Sequence, residues 1–144
     1  MSELKYLFGP APSRRLGRSL GINIVPAKIC SLDCLYCEAG RTKTTTMRRK
    51  AYYKAEDILK EFKENFDKFD DLCDVITVTG AGEPTLNSEL DNIITGIKEI
   101  TNKPCAILTN TTTIHINEVF MSLLKFDIVV PSLDAVIDNI FKAV

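Results

Sequence analysis

A chain of 144 residues with 45% hydrophobic and 26% charged residues has the size of one domain and enough apolar side chains for a core, which excludes a disordered tail or a collagen-like repeat. No apolar run approaches the roughly eighteen residues of a membrane span, and Met1-Ser2-Glu3-Leu4-Lys5 lacks the layout of a signal peptide, so the expectation is a cytoplasmic protein that does not engage a membrane. The net charge of -1 conceals a division, because residues 1–54 sum to +8 and residues 55–144 to -9. Such a basic first third faces either an anionic ligand or solvent, balanced by an acidic remainder.

Phe8 to Gly21, with two prolines, three glycines and three arginines, reads as an arm that is exposed, covers a neighbouring loop, or neutralises phosphate through its arginines. The first predicted strand is Leu20 to Val25, stopped by Pro26. Arg41, Lys43, Arg48, Arg49 and Lys50, with Tyr52 and Tyr53 nearby, form a basic and aromatic stretch of the kind that can serve RNA by phosphate contact and stacking. Ile58, Leu59, Phe62, Phe66 and Phe69 then recur at helical spacing. A strand from Asp74 to Thr79 follows, and Leu90, Ile93, Ile94, Ile97 and Ile100 mark a second helix behind a cap at Asn87 or Ser88. A strand from Cys105 to Thr109, a helix from Asn117 to Lys125, a strand from Asp127 to Val130 and a last helix from about Ala135 complete the chain. Alternating strands and amphipathic helices define an α/β fold with four parallel strands. The loops after Val25, Thr79, Thr109 and Val130 should then meet on one rim, where ligand sites of such sheets lie.

The loop after the first strand reads Cys30-Ser31-Leu32-Asp33-Cys34-Leu35-Tyr36-Cys37. Three thiols at this spacing either share one face of a helix or form a ligand set. A structural zinc site takes four protein ligands, and the spacing supplies three. Cys73 lies just before the second strand and Cys105 opens the third, so both lie about 17–20 Å away, at the opposite rim, while the only histidine, His115, reads as a surface residue. A cubane held by three cysteines leaves one iron open.

This CxxxCxxC, with Tyr36 as the aromatic before the third cysteine, resembles the radical S-adenosylmethionine superfamily. The resemblance implies that Cys30, Cys34 and Cys37 bind a [4Fe-4S] cluster whose open iron is chelated by the amino and carboxylate groups of S-adenosylmethionine. The turn Gly80-Ala81-Gly82-Glu83-Pro84 is similar to the family's GGE element, which implies that Gly82 and Glu83 receive the amino group while Gly80 and Pro84 shape the turn. Bottom-up, its glycines read as positions of positive φ and close ligand approach. Asn110 and Ser132-Leu133-Asp134 are turn and cap residues by type, and the resemblance adds ribose and carboxylate contacts at Asn110, Ser132 and Asp134.

The opening segment is similar to the leader of Fe–S oxidoreductases grouped near wyosine-type tRNA enzymes. The fold implied is a single partial (βα) barrel over residues 1–144 with helices outside, lacking the last two βα units. The activity implied is reductive cleavage of the cofactor to a 5′-deoxyadenosyl radical, hydrogen abstraction from an unknown substrate, and a one-electron donor such as flavodoxin or ferredoxin. A catalytically inactive iron–sulfur or zinc module is the rival. A fourth strand left as an open edge is expected to lower stability, promote self-association and slow turnover.

Overall fold

The computed structural model describes residues 3–132 and 135–143. Its main sheet contains β1 (Leu7–Ser13), β2 (Gly17–Asn23), β5 (Val75–Thr79), β6 (Cys105–Thr109) and β7 (Ile128–Pro131), in that spatial order. A small second sheet pairs β3 (Ile29–Cys30) with β4 (Thr44–Thr45). The helices are α1 (Ala55–Asn65), α2 (Leu90–Ile100), α3 (Asn117–Leu123) and α4 (Asp138–Ala143). Strands β2, β5, β6 and β7 are parallel, whereas β1 runs antiparallel to β2. The expected four parallel strands therefore sit in a mixed sheet of five, open at β1 and β7, and the first of them begins three residues and ends two residues earlier than the pattern indicated.

The arm is thus a strand. Pro10 and Pro12 argue against a central strand but are tolerated at an edge, where one row of N–H groups needs no partner. The register shifts between Phe8 and Ala11, where Gly9 has φ 89°, and this bulge breaks the alternation that would have marked the strand in sequence. At the other edge, Ile128 and Val129 of β7 are each 37% exposed.

One face of the sheet carries the core. Leu20, Ile22, Ile76, Val78 and Ile107 alternate to that face and pack with Ile58 and Phe62 of α1, Ile93, Ile94 and Ile97 of α2, and Val119 and Leu123 of α3. The expected cap of α2 is displaced. Leu90 begins the helix, and Asn87, fully buried, accepts from Glu89 N–H at 2.9 Å while its amide donates to the Ile24 and Tyr53 carbonyls at 2.8 and 2.9 Å. The α1 N-terminus is capped from outside by Glu89, whose carboxylate accepts from Ala55 N–H at 2.7 Å.

Glu61 on α1 fastens the start of the chain. Its two oxygens accept from the backbone N–H groups of Lys5, Tyr6 and Leu7 at 2.7, 2.7 and 2.9 Å. Glu61→Ala should lower unfolding stability by about 1–3 kcal/mol, since three donors lose a charged acceptor. The check is denaturant unfolding, with hydrogen exchange accelerated at Lys5 to Leu7 and unchanged in β5.

Candidate functional site

The cysteine loop leaves β2 and is stitched to the end of β5 by backbone. Ile24 N–H donates to the Thr79 carbonyl at 3.0 Å, Lys28 N–H to the Ala81 carbonyl at 2.9 Å, and Glu83 N–H to the Ile29 carbonyl at 3.2 Å. Lys28 has φ 68°, uncommon for a side chain this large, and its carbonyl accepts from both Lys43 and Thr44 N–H, which holds the turn. Pairing of β3 with β4, together with Thr42 bonded to Asp33 and to the Leu32 carbonyl, closes the loop on itself.

Gly82 is explained by this stitching. A Cβ there would lie 1.7 Å from the Ile29 carbonyl oxygen, so only glycine lets the two loops meet. Neither Gly80 nor Gly82 has positive φ, which corrects that expectation; the close approach that the structure shows at Gly82 is by the chain's own backbone. Gly80 is also confined, with Val25 and Gly82 at 3.2 Å from the position of an added Cβ.

A cavity of about 400 Å³ opens between these loops. Cys30, Cys34, Tyr36 and Cys37 line it from one side, Gly82, Glu83 and Pro84 from the end of β5, Asn110 from the end of β6, and Ser132 from the end of β7. Four sequence-separated segments thus converge on one rim. Asp134 and Leu133 lie outside the described residues. Cys73 and Cys105 are buried at the starts of their strands, and His115 is exposed and off the cavity wall.

Glu83 is 2% exposed. One oxygen accepts from the Thr85 hydroxyl at 2.6 Å, from Thr85 N–H at 3.3 Å and from the Thr109 hydroxyl; the other accepts from Asn110 N–H at 2.8 Å. All these donors are neutral, and none of the ion pairs among the described residues includes Glu83. A buried carboxylate without a counter-cation is costly, and a cation entering the cavity would be strongly favoured beside it.

Asn110 is already engaged. Its amide donates to Ser31 Oγ at 3.0 Å and reaches Cys30 Sγ at 3.6 Å, while its oxygen accepts from Thr112 N–H and hydroxyl at 3.1 and 2.8 Å. Sequence type alone did not single out Thr85 or Thr113, whose buried hydroxyls extend this network with that of Thr109, and it gave Arg49 only as one member of a basic stretch. Arg49 donates to the carbonyls of Thr85 and Asn87 at 2.8 and 3.2 Å and pairs with Glu118 at 3.2 Å. Tyr53 packs edge-on against Tyr6 at 5.0 Å between centroids.

The five cysteines are free thiols. Among the described residues no three His, Cys, Asp or Glu side chains are gathered into a ready ligand set for a metal ion. The donor chemistry nevertheless fits an iron–sulfur group: three soft sulfur donors border one cavity, two partly buried and one exposed. Tyr36, 55% exposed, stands between Cys34 and Cys37 in the same wall.

The chain belongs to the radical SAM superfamily, whose family pattern it matches over residues 24–142. It is 41% identical over 138 residues to the UPF0026 protein MJ1312 of Methanocaldococcus jannaschii, covering 95% of this chain and 43% of that protein. It is 40% identical over 110 residues to the UPF0026 protein slr1464 of Synechocystis, covering 76% of this chain and 40% of the relative. A protein named GTPase Obg from Brachyspira hyodysenteriae is 41% identical over 142 residues, which cover 99% of this chain and 21% of that protein. The chain spans less than half the length of these curated relatives. No solved structure matches it. No helix among the described residues is long and apolar enough to cross a membrane.

Burial orders the thiols. It pushes the Cys105 thiol up to about 11, raises Cys73, and raises Cys30. In the metal-free, reduced chain at pH 8, iodoacetamide should modify exposed Cys37 first and Cys73 and Cys105 last, at rates at least about tenfold apart. Mass spectrometry of a time course reads the order directly.

Proposed function

We propose that this domain holds a [4Fe-4S] cluster through Cys30, Cys34 and Cys37 and binds S-adenosylmethionine beside it as a radical enzyme. The observation that carries the reading is that three thiols of one loop border the same cavity as a buried carboxylate with no cation partner among the described residues. When bound, the pair would supply a 5′-deoxyadenosyl radical for hydrogen abstraction, given an electron from a donor such as flavodoxin or ferredoxin.

The chain's own residues have distinct tasks in this reading. Glu83 attracts the ammonium of the methionine moiety, supported by its burial and its neutral donors. Gly82 and Gly80 keep the β5 turn pressed on the cysteine loop, Pro84 continues that wall, and Asn110 holds Ser31 and so fixes the loop from the β6 side. Tyr36 and Ser132 border the space left for the nucleoside.

Anaerobic reconstitution with iron and sulfide tests the ligand set. Alanine at Cys30, Cys34 or Cys37 should abolish the brown colour and the bound iron, whereas Cys73→Ala and Cys105→Ala should keep both. Tight tetrahedral zinc in place of iron would sink the assignment. Glu83→Gln should weaken S-adenosylmethionine binding to the reconstituted protein by about tenfold to a hundredfold, the worth of one hydrogen bond to a charged group, with iron content unchanged. Equal affinities by titration calorimetry would remove Glu83 from the ammonium site.

A further inference from the structure

The face of the sheet turned away from α1, α2 and α3 carries a second cavity, of about 460 Å³. Register places Gly21, Thr77, Ala106 and Ile128 side by side across β2, β5, β6 and β7, so Ser19, Thr79, Leu108 and Val130, two residues from these positions, share their face. Thr79 and Leu108 line this cavity and the cysteine cavity alike, so the two adjoin.

The outer wall is the β1–β2 hairpin, the segment that the site above leaves without a task. Phe8 stands opposite Gly21 in the register, and its ring lies on the glycine: a Cβ at Gly21 would come within 2.2 Å of the ring tip. An aromatic ring covering a strand glycine is held in place by that contact. Yet Phe8 remains 50% exposed on the cavity wall. A fixed, half-open ring is a stacking platform.

Arg15, in the hairpin turn, lines the same cavity. Its neighbour Arg18 is held by Asp74 at 2.8 Å, but Arg15 is exposed and forms no ion pair among the described residues. The carboxylate on the wall, Glu38, follows Cys37 and belongs to the cysteine-loop side, where it disfavours an anion.

We propose that this chamber receives the molecule acted upon, and that this molecule offers a planar conjugated ring to Phe8 and an anionic substituent to Arg15. The assignment as substrate chamber rests on the reading of the neighbouring cavity given above, but the binding preference does not. Titration of the metal-free chain with 2-naphthoate, 2-naphthamide and 2-naphthylmethylammonium, followed by methyl NMR at Leu108 and Val130, tests it without iron or S-adenosylmethionine. The chain contains no tryptophan, so naphthalene fluorescence gives an independent readout.

The naphthoate should shift both methyl signals and bind about tenfold more tightly than the amide, as expected for one charge-assisted contact. Arg15→Gln should erase that preference while leaving amide binding unchanged. Phe8→Leu should weaken both by about tenfold, with core methyl signals of Ile93 and Ile97 unmoved as proof of folding. Preference for the ammonium probe, shifts confined to other methyls, or a preference that survives Arg15→Gln would overturn the proposal. Iron incorporation by the Phe8 and Arg15 variants should equal that of the parent chain, so failure of the cluster assignment is seen separately.

Discussion

The buried carboxylate of Glu83 is the constraint on which the rim depends, because a charge at 2% exposure must draw donors from wherever the fold can bring them. Its donors come from the turn after β5 and from the end of β6, so satisfying it ties those two strand ends together. The tie propagates. Thr85 is bonded to Thr113 beyond β6, and Asn110 turns its own amide to Ser31 in the cysteine loop, where Ser31 and Thr112 share a hydroxyl contact at 2.6 Å. Removing this acceptor altogether would loosen three loops rather than one.

A second constraint is steric. The cysteine loop can rest against the β5 turn because Gly82 has no Cβ to strike the Ile29 carbonyl. The contact also delivers Glu83 N–H to that carbonyl, so the residue carrying the charge and the loop carrying the thiols are fixed by adjacent atoms. The glycine and the carboxylate, neighbours in sequence, therefore do different work: one seats a loop, the other shapes the field in the cavity.

Sequence pattern made the parallel part of the fold legible, since β5, β6 and β7 are short β-branched or apolar runs between amphipathic helices, and their observed bounds fall within a residue of those expected. The cysteine spacing and the Gly-Ala-Gly-Glu turn likewise point to the one rim where the structure brings them together. The hairpin was not legible, because its strand is an edge with a bulge and two prolines, so neither alternation nor propensity marks it. The threonine and asparagine network was hidden for another reason. Thr85, Thr109 and Thr113 look like ordinary turn residues until the topology places the first two hydroxyls on one carboxylate and the third on Thr85, and Asn87 looks like a helix cap until its amide is found between two carbonyls of distant segments.

The charge division between the two parts of the chain gains a different meaning from these contacts. Arg18 to Asp74 and Arg49 to Glu118 each join the basic first third to the acidic remainder, and Arg49 also satisfies two backbone carbonyls beside the site. Exposed ion pairs add at most about 1 kcal/mol each, so their value here is in orientation, above all for Arg49, whose side chain is largely covered. Part of the basic excess is thereby used inside the molecule to hold the hairpin to the start of β5 and the segment after β4 to the turn that follows β5. Arg15 is different: it keeps its charge on a cavity wall without an ionic partner among the described residues, so the anion site proposed for this chamber rests on that one side chain and not on the net charge.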